Sequence, residues 1–129
     1  LAAAGWESAV AVEGDPVAGA DLVRNAERFG DRVKAIRRRV EKYLASLRKD
    51  DVSSATVVVD PPRTGISKDA IGHLIRLRPS RIVYISCDVA TLARDTRALY
   101  EGGYGLADLG GIDLFPNTAH VESIAVLTR

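Results

Sequence analysis

Short continuous apolar runs alternate along the chain with stretches in which apolar residues recur at helical spacing. The run at residues 55–59 is largely β-branched, which is typical of a strand buried on both faces of a sheet. Pro61 and Pro62 follow it closely, and proline cannot continue a strand ladder. Runs of the same kind predict further strands at residues 8–12, 33–36, 81–85, 105–109 and 121–128.

Helices are predicted between these strands. Apolar residues follow Pro16 at helical spacing as far as Phe29, and Gly30 provides a natural stop. Residues 40–47 form a second predicted helix. Ser67 can cap a third. A fourth follows Asp88, with apolar positions on one side and Gly102-Gly103 at its end.

The alternation of strands and helices predicts a parallel, doubly wound α/β sheet with right-handed crossovers, in one domain or part of one. In such sheets, ligands bind beyond the carboxyl ends of the strands. Glu13, Asp60 and Cys87 each lie just past a predicted strand. We therefore expect these three residues along one edge of the sheet.

Composition excludes several other classes of protein. The chain is 47% hydrophobic and 27% charged, which is ordinary for a globular protein and argues against disorder or a fibrous structure. No apolar run approaches the ~20 residues that a membrane helix needs. A single cysteine excludes an internal disulfide framework and a Cys-rich metal site, so we expect no bound metal. A reducing cytoplasm is the expected location.

Positive charge is concentrated in one segment. Residues 31–50 contain eight Lys or Arg and three acidic residues, including the run Arg37-Arg38-Arg39, whereas residues 99–129 contain four acidic residues and one basic residue. The basic segment is either a solvated face or a surface that faces phosphate groups. Charge alone does not choose between these interpretations.

Cys87 lies where a predicted strand gives way to a helix. Backbone N–H groups at a helix start carry partial positive charge and favour a thiolate, whereas the neighbouring Asp88 acts in the opposite direction. The alternative is an inert cysteine that packs as a small hydrophobic residue. Its position leaves both interpretations open.

Carboxylates and one histidine lie at the other strand ends. Glu13 occupies a position at which a carboxylate commonly binds ribose hydroxyls, although residues 13–16 are also a reasonable turn and helix cap. The segment Asp60-Pro61-Pro62-Arg63 predicts a stiff loop that presents an acid and a guanidinium. His120 and Glu122 share one face if the last strand starts early, but a lone histidine is typically structural.

Three segments carry a specific resemblance. They are Asp60-Pro61-Pro62-Arg63-Thr64-Gly65, then residues 83–95 with Ser86-Cys87-Asp88 at their centre, and then residues 113–122. Their order and approximate spacing resemble the signature segments of the RNA uracil-C5 methyltransferases that act on transfer and ribosomal RNA. With residues 11–26 added, the resemblance covers nearly the whole chain. It implies that residues 1–129 are the C-terminal portion of a methyltransferase domain, with a partial Rossmann-like class I sheet that is mostly parallel and has an antiparallel end strand.

The resemblance also implies a reaction, the transfer of a methyl group from S-adenosylmethionine to C5 of a uridine in tRNA or rRNA. C5 of uracil is a poor nucleophile, so in this family a cysteine first adds to C6, and a general base later removes the C5 proton. By motif match, Cys87 is the nucleophile and Glu122 is the base. Glu13 falls at the ribose of the cofactor, and Asp60 falls at the edge shared by the cofactor and the reacting base. Arg63, Arg94 and His120 are supporting residues without assigned chemistry.

The chain departs from the family pattern in two ways. Asp88 and Val89 stand where the family often has Asn and Pro, and Arg39 stands near a position that is often a polar, cofactor-contacting residue. In addition, the first strand of the family's sheet, its Gly-rich cofactor loop and its RNA-binding N-terminal regions are not in this chain. We therefore expect the strands at residues 8–12 and 55–59 to lack a partner. The isolated chain is then expected to rearrange its strand pairing, to self-associate or to be marginally stable, and to be inactive alone.

Two other functions are compatible with parts of the pattern. One is a cofactor- or RNA-binding module of the same fold that has lost catalysis. The other is an unrelated nucleotide-binding α/β domain, such as half of a dehydrogenase, which would explain Glu13 but not the segments around Cys87 and Glu122.

Overall fold

The computed structural model describes residues 5–113 and 121–129. It divides the chain into two compact units, Leu1–Ser46 and Leu47–Arg129. We refer to them as the first and second units. Among the described residues, no helix is long and apolar enough to cross a membrane.

The first unit is a βαβα segment with a two-stranded parallel sheet. The two strands pair in register from Ala9 opposite Val33 to Glu13 opposite Arg37, so Glu13 and Arg37 are neighbours at the carboxyl edge. Asp15 begins the first helix, because its side chain accepts the backbone N–H groups of the first helical turn. The elements are β1 (Ala9–Glu13), α1 (Pro16–Glu27), β2 (Val33–Arg37) and α2 (Val40–Ser46).

The second unit contains a four-stranded sheet with the order β3-β4-β6-β5. β3 and β4 are parallel, and β6 is antiparallel to both of its neighbours. The predicted partial Rossmann-like α/β fold is confirmed, with a partly parallel sheet. The antiparallel strand β6 is the last in the chain, but it lies inside the sheet, between β4 and β5. The elements are β3 (Thr56–Val59), α3 (Lys68–Leu77), β4 (Arg81–Ser86), α4 (Val89–Glu101), β5 (Gly105–Ile112) and β6 (Glu122–Thr128).

The hydrophobic core of the second unit follows from the period of its elements. Alternate residues of β4 and β6 are buried, as expected of strands that turn one face toward a core. Helices α3 and α4 bury one side each and contact one another. The side chains with less than 2% exposure include Leu74, Leu77, Ile82, Tyr84, Leu99, Asp95 and Leu127.

Most predicted boundaries agree with the structure to within a residue or two, and β5 is the exception. Its strand was expected to end at Leu109 but continues to Ile112. Gly110 and Gly111 weaken the strand signal in the sequence. β6 nevertheless supplies ladder partners as far as Ile112 opposite Glu122. Tertiary pairing therefore overrides the local preference of these glycines.

β1 and β3 each have a single partner strand among the described residues. Val10 in β1 is 52% exposed, and every residue of the strongly apolar β3 is only half-buried. Both strands are therefore sheet edges, as expected from the sequence. The continuous apolar run of β3 is nevertheless typical of a strand that is buried on both faces.

Candidate active site

Cys87 lies in a short turn between β4 and α4. β4 ends at Ser86, and Asp88 is the N-cap of α4. The Ser86 hydroxyl donates to the carbonyl of Asp88 at 2.9 Å, and the Asp88 N–H donates back to the Ser86 hydroxyl at 3.1 Å. These two bonds bracket Cys87 and fix its backbone. The thiol is free and half-buried.

Glu122 begins β6, directly beside the end of β4. The last pair of this antiparallel ladder is Ser86 opposite Ser123. Cys87 and Glu122 are the next residues beyond this pair, and the ladder itself ends at Ser86. The topology thus brings the predicted nucleophile and the predicted base to the same edge of the second unit.

Asp60 reaches that edge from the neighbouring strand. β3 and β4 are parallel and end their pairing at Val59 opposite Tyr84, so Asp60 follows at the shared carboxyl edge. Asp60 is exposed. The chain then makes a turn in which the Gly65 N–H donates to the carbonyl of Pro62 at 2.8 Å. We call residues 60–66 the 60–66 loop.

Two residues of α4 hold this loop. Arg94 donates to the carbonyl of Thr64 at 2.9 Å, and Asp95 accepts the N–H of Ile66 at 2.7 Å. Arg94 also pairs with the Asp95 carboxylate through its Nε at 2.8 Å and its Nη2 at 2.7 Å. Gly65 lies between the two contacts with φ +79°, in the left-handed region that favours glycine.

Tyr84 completes the surroundings of Asp95. Its hydroxyl donates to Asp95 Oδ2 at 2.8 Å, and both side chains are almost fully buried. Burial, followed by the hydrogen bond to the Asp95 carboxylate, raises the pKa of Tyr84 well above its usual range. Tyr84 therefore remains a hydrogen-bond donor throughout the physiological pH range.

The carboxylate of Asp88 is committed to the start of α4. It accepts the Thr91 N–H at 2.8 Å and the Thr91 hydroxyl at 3.0 Å. The bond from the Thr91 N–H is the main reason that the pKa of Asp88 lies below its usual value, with a small contribution from the positive charge of Arg63. Asp88 is thus an anion beside Cys87, and its charge is partly offset by the helix terminus.

Glu13 lies in the first unit, at the carboxyl edge of β1. It contributes to an open pocket of about 320 Å³ that is lined by Glu13, Gly14, Asp15, Pro16 and Arg37. Glu13 Oε1 accepts the N–H of Asp15 at 2.7 Å, and Asp15 in turn caps α1. The interpretation of residues 13–16 as a turn and helix cap is therefore confirmed. The carboxylate also lines a pocket, and ribose binding by Glu13 stays a prediction.

Two further expectations from the sequence concern His120 and metal binding. His120 lies outside the described residues. Among the described residues, no group of three or more His, Cys, Asp or Glu side chains could hold a metal ion.

Asp95 and Tyr84 were not singled out from the sequence, because an acid in the middle of a helix and a tyrosine in a strand carry no local signal that they contact each other. The signal available was an acid at an otherwise core-facing helix position.

The sequence resembles proteins of a known family. Residues 7–129 match the model of the family described as tRNA (uracil-5-)-methyltransferase. An uncharacterized RNA methyltransferase of Caldanaerobacter subterraneus is 43% identical over 110 residues, which cover 84% of this chain and 24% of that protein. A 23S rRNA (uracil(1939)-C(5))-methyltransferase of Aeromonas salmonicida is 39% identical over 128 residues, which cover 93% of this chain and 27% of that protein. The chain thus spans about a quarter of the length of these relatives.

Structural comparisons give the same result for the fold. The crystal structure of the Pyrococcus abyssi tRNA (uracil-54, C5)-methyltransferase in complex with S-adenosyl-L-homocysteine matches with a TM-score of 0.81 and 30% identity. The match covers 99% of this chain and 30% of that one. A precorrin-6y C5,15-methyltransferase of Geobacter metallireducens matches with a TM-score of 0.70 and 16% identity, over 95% of this chain and 68% of that one, which supports the fold alone.

The family match covers all but the first six residues, and the segments around Asp60, Cys87 and Glu122 lie within it. The sheet of the second unit arranges these three residues along one edge. The chain therefore belongs to the tRNA (uracil-5-)-methyltransferase family.

Proposed function

We propose that this chain carries the nucleophile and the general base of an RNA methyltransferase that modifies C5 of a uridine in tRNA or rRNA. The observation that supports this most strongly is the position of Cys87 and Glu122, one step beyond the pair Ser86 and Ser123 at the end of β4. Membership of the family supports the type of reaction. The presence of both reactive groups in one unit argues against a module that has lost catalysis.

In the proposed reaction, Cys87 acts first. Its thiolate forms a bond to C6 of uracil, and the displaced electron pair makes C5 nucleophilic. C5 then accepts a methyl group. The Ser86–Asp88 turn holds the backbone of Cys87, and the start of α4 lies immediately beyond it, so the sulfur is presented from a rigid position.

Glu122 acts second. Its carboxylate removes the C5 proton, the C5–C6 double bond forms again, and the bond from C6 to the Cys87 sulfur breaks. This step releases Cys87 as a thiolate, leaves the proton on Glu122 and yields a methylated base. The proton acceptor must therefore lie close to the nucleophile, and the register of β4 and β6 supports such a position.

The proposed methyl donor is S-adenosylmethionine, which would supply an electrophilic methyl group from its sulfonium and leave as the neutral thioether S-adenosylhomocysteine. The residues of the first unit fit part of such a molecule, because the Glu13 pocket offers a carboxylate suited to ribose hydroxyls. Glu13 Oε1 is held by the turn, and Oε2 has no hydrogen bond among the described residues. Asp60 is proposed to lie at the edge between this cofactor and the base.

The basic segment of residues 31–50 supports an RNA partner. Lys34, Arg37, Arg38, Arg39 and Lys42 are all exposed, and exposed cations can neutralise phosphate groups. We expect this contribution to RNA affinity to weaken steeply with salt.

The isolated chain is proposed to be inactive. Without the remaining three quarters of the relatives' length, we expect weak or undetectable binding of S-adenosylmethionine by calorimetric titration. Micromolar affinity would contradict this expectation. We also propose that the isolated chain self-associates through its edge strands β1 and β3. A monomer whose unfolding does not depend on concentration would argue against self-association.

The reaction is tested with the protein at its full natural length and RNA that carries tritium at C5 of uridine. The wild type should incorporate methyl groups and release tritium in equal amounts. Cys87→Ala should do neither, whereas Glu122→Gln should still transfer the methyl group but retain the tritium on a covalently bound base. Tritium release by Cys87→Ala, or unchanged release by Glu122→Gln, would contradict the assigned roles.

A further inference from the structure

We propose that Asp95 is a positioning residue. Together with Arg94, it clamps the 60–66 loop to α4, the helix that begins directly after Cys87, and thereby sets the position of Asp60 relative to the thiol. The catalytic meaning of this clamp rests on the proposed function. Neither Asp95 nor Arg94 is expected to touch a substrate.

The clamp contacts the loop on both sides of Gly65. The guanidinium of Arg94 binds the carbonyl of Thr64, and the carboxylate of Asp95 binds the N–H of Ile66. The two side chains also bind each other. A carbonyl and an N–H in neighbouring peptide units are therefore both held, which fixes the orientation of the loop as well as its distance from the helix.

The charge of Asp95 explains why the 60–66 loop is held in one position. The side chain is 1% exposed, and a buried carboxylate is costly unless donors surround it. Tyr84 and the Ile66 N–H satisfy Oδ2, and Arg94 satisfies Oδ1. If the loop moved away, Oδ2 would lose one of its two donors in a place that water reaches poorly. The buried charge thus penalises displacement of the loop.

The helix transmits this position to the nucleophile. Asp95 lies about two helical turns after the N-cap Asp88, on the same continuous helix. Asp88 is bound to the turn that contains Cys87. The 60–66 loop and the Cys87 turn are therefore attached to opposite ends of one short rigid segment.

Gly65 is required for this contact. An added Cβ would overlap Asp95 Oδ2, and the φ of +79° disfavours any other residue. The glycine of the Asp-Pro-Pro-Arg-Thr-Gly segment thus allows the close approach of α4. This explains its place in the segment without any contact to a ligand.

The test compares two substitutions in the clamp with matched substitutions elsewhere on α4. Asp95→Asn removes the buried charge, and Arg94→Gln removes the guanidinium, whose side chain is 57% exposed and therefore tolerates change. The controls are Glu101→Gln and Arg97→Gln, because Arg97 and Glu101 form a similar pair at 3.0 Å on the exposed surface of the same helix.

Two measurements are made on the full-length protein. Hydrogen exchange by NMR or mass spectrometry reports the protection of the Ile66 amide, and single-turnover methylation reports the rate of the chemical step. We expect both clamp variants to speed exchange in the 60–66 loop and to lower the maximal single-turnover rate by about 10- to 100-fold. The S-adenosylmethionine concentration that gives half of this rate should change little. The two control variants should match the wild type in both measurements.

The outcomes separate this inference from the proposed function. If Arg94→Gln and folded Asp95→Asn leave both the exchange of Ile66 and the methylation rate within twofold of the wild type, the clamp is wrong. A fall in rate together with an equal fall in melting temperature and faster exchange throughout the second unit would reduce Asp95 to a general structural role and overturn the inference. If the wild type shows no methylation at all, the proposed function fails. Faster exchange at Ile66 alone would then still support the clamp.

Discussion

The turn at Glu13 and the 60–66 loop serve the same geometric purpose in different ways. Each presents a carboxylate just past a strand and leads into a helix with a side-chain cap, Asp15 for α1 and Ser67 for α3. The side-chain hydrogen bonds of the Glu13 turn join residues two or three apart in the chain. The 60–66 loop is held by side chains 29 and 30 residues away.

The two regions therefore differ in which residues fix the position of the carboxylate. The side-chain hydrogen bonds of the Glu13 turn involve only neighbouring residues, and its one long-range hydrogen bond among the described residues joins two backbone groups, the Arg38 N–H and the Glu13 carbonyl, at 3.0 Å. The 60–66 loop depends on a buried carboxylate, a guanidinium and a glycine on separate elements. A small change in any of these residues should therefore alter the loop without touching Asp60.

The largest difference in stability is expected when one glycine in each region is replaced by alanine. Gly65→Ala should lower the free energy of unfolding by roughly 2–4 kcal/mol, because it adds an overlap with Asp95 to a left-handed backbone. Gly14 has no positive φ, and an added Cβ would lie 3.2 Å from the Arg39 Cα, a tight contact that needs a shift of only a few tenths of an ångström. Gly14→Ala should therefore have a smaller effect, of about 1 kcal/mol. Urea denaturation of both variants measures the contrast. Equal effects would remove the distinction between the two regions.

The buried hydroxyl of Tyr84 should have the next largest effect. Tyr84→Phe leaves the Asp95 carboxylate with one donor fewer and should cost about 1–3 kcal/mol. Leu99, which is equally buried but outside the polar cluster, provides a packing control as Leu99→Ile. That control should leave the hydrogen exchange of Ile66 unchanged, whereas Tyr84→Phe should speed it.

Tyr84 also predicts a dependence on pH. Its pKa is raised in the folded state, so the folded protein retains a proton that the unfolded chain loses above about pH 10. Stability should therefore be fully present below pH 10 and fall as the pH rises above it. The fall should be smaller in Tyr84→Phe, and the part that remains includes Tyr104, whose pKa burial also raises. Equal slopes in urea denaturation series from pH 8 to 11 would contradict this.

In the first unit, loss of a hydrogen bond in the Glu13 turn should have a smaller effect on stability, and the effect should stay local. Asp15→Ala removes the cap that accepts two N–H groups at 2.9 Å and should cost about 1 kcal/mol. Asp15→Ser keeps an oxygen acceptor and should restore most of this loss. Hydrogen exchange should quicken in α1 and leave the 60–66 loop unchanged. A change in the loop would show that the two regions are not independent.

The smallest expected effect concerns the anion beside Cys87. Asp88→Asn keeps a helix cap but removes the negative charge, so the thiol should react with iodoacetamide roughly two- to five-fold faster at neutral pH. Glu101→Gln, at the opposite end of α4, is the control. A slower reaction of Asp88→Asn would mean that the carboxylate assists Cys87.

The fold was largely predictable from the sequence because its signals are local. The apolar run at residues 55–59, the prolines after it and the caps Ser67 and Asp88 each act within a few residues. β5 was predicted too short, because its pairing partner β6 lies beyond residue 120 and the glycines in β5 suggest an end. The insertion of β6 between β4 and β5 is likewise a long-range feature.

The candidate site was predictable in part for the same reason. Asp60, Cys87 and Glu122 were identifiable because they lie in recognisable segments. Asp95 lies in the same segment as Cys87, but its role was not identifiable, because that role depends on contacts with Tyr84 and Ile66 that form only when the sheet and helices pack. A buried charge is recognised by the hydrogen-bond donors that surround it, and the donors to Asp95 come from other elements of the fold.

The central claim is that Cys87 forms a covalent bond to a uracil base. It is tested most directly with the protein at its full natural length, S-adenosylmethionine and RNA that contains 5-fluorouracil, in which fluorine at C5 cannot leave as a proton. Mass spectrometry should show a covalent protein–RNA complex with the wild type and with Glu122→Gln, and none with Cys87→Ala. A complex that persists in Cys87→Ala, or its absence in a wild type that still binds the cofactor, would contradict the claim.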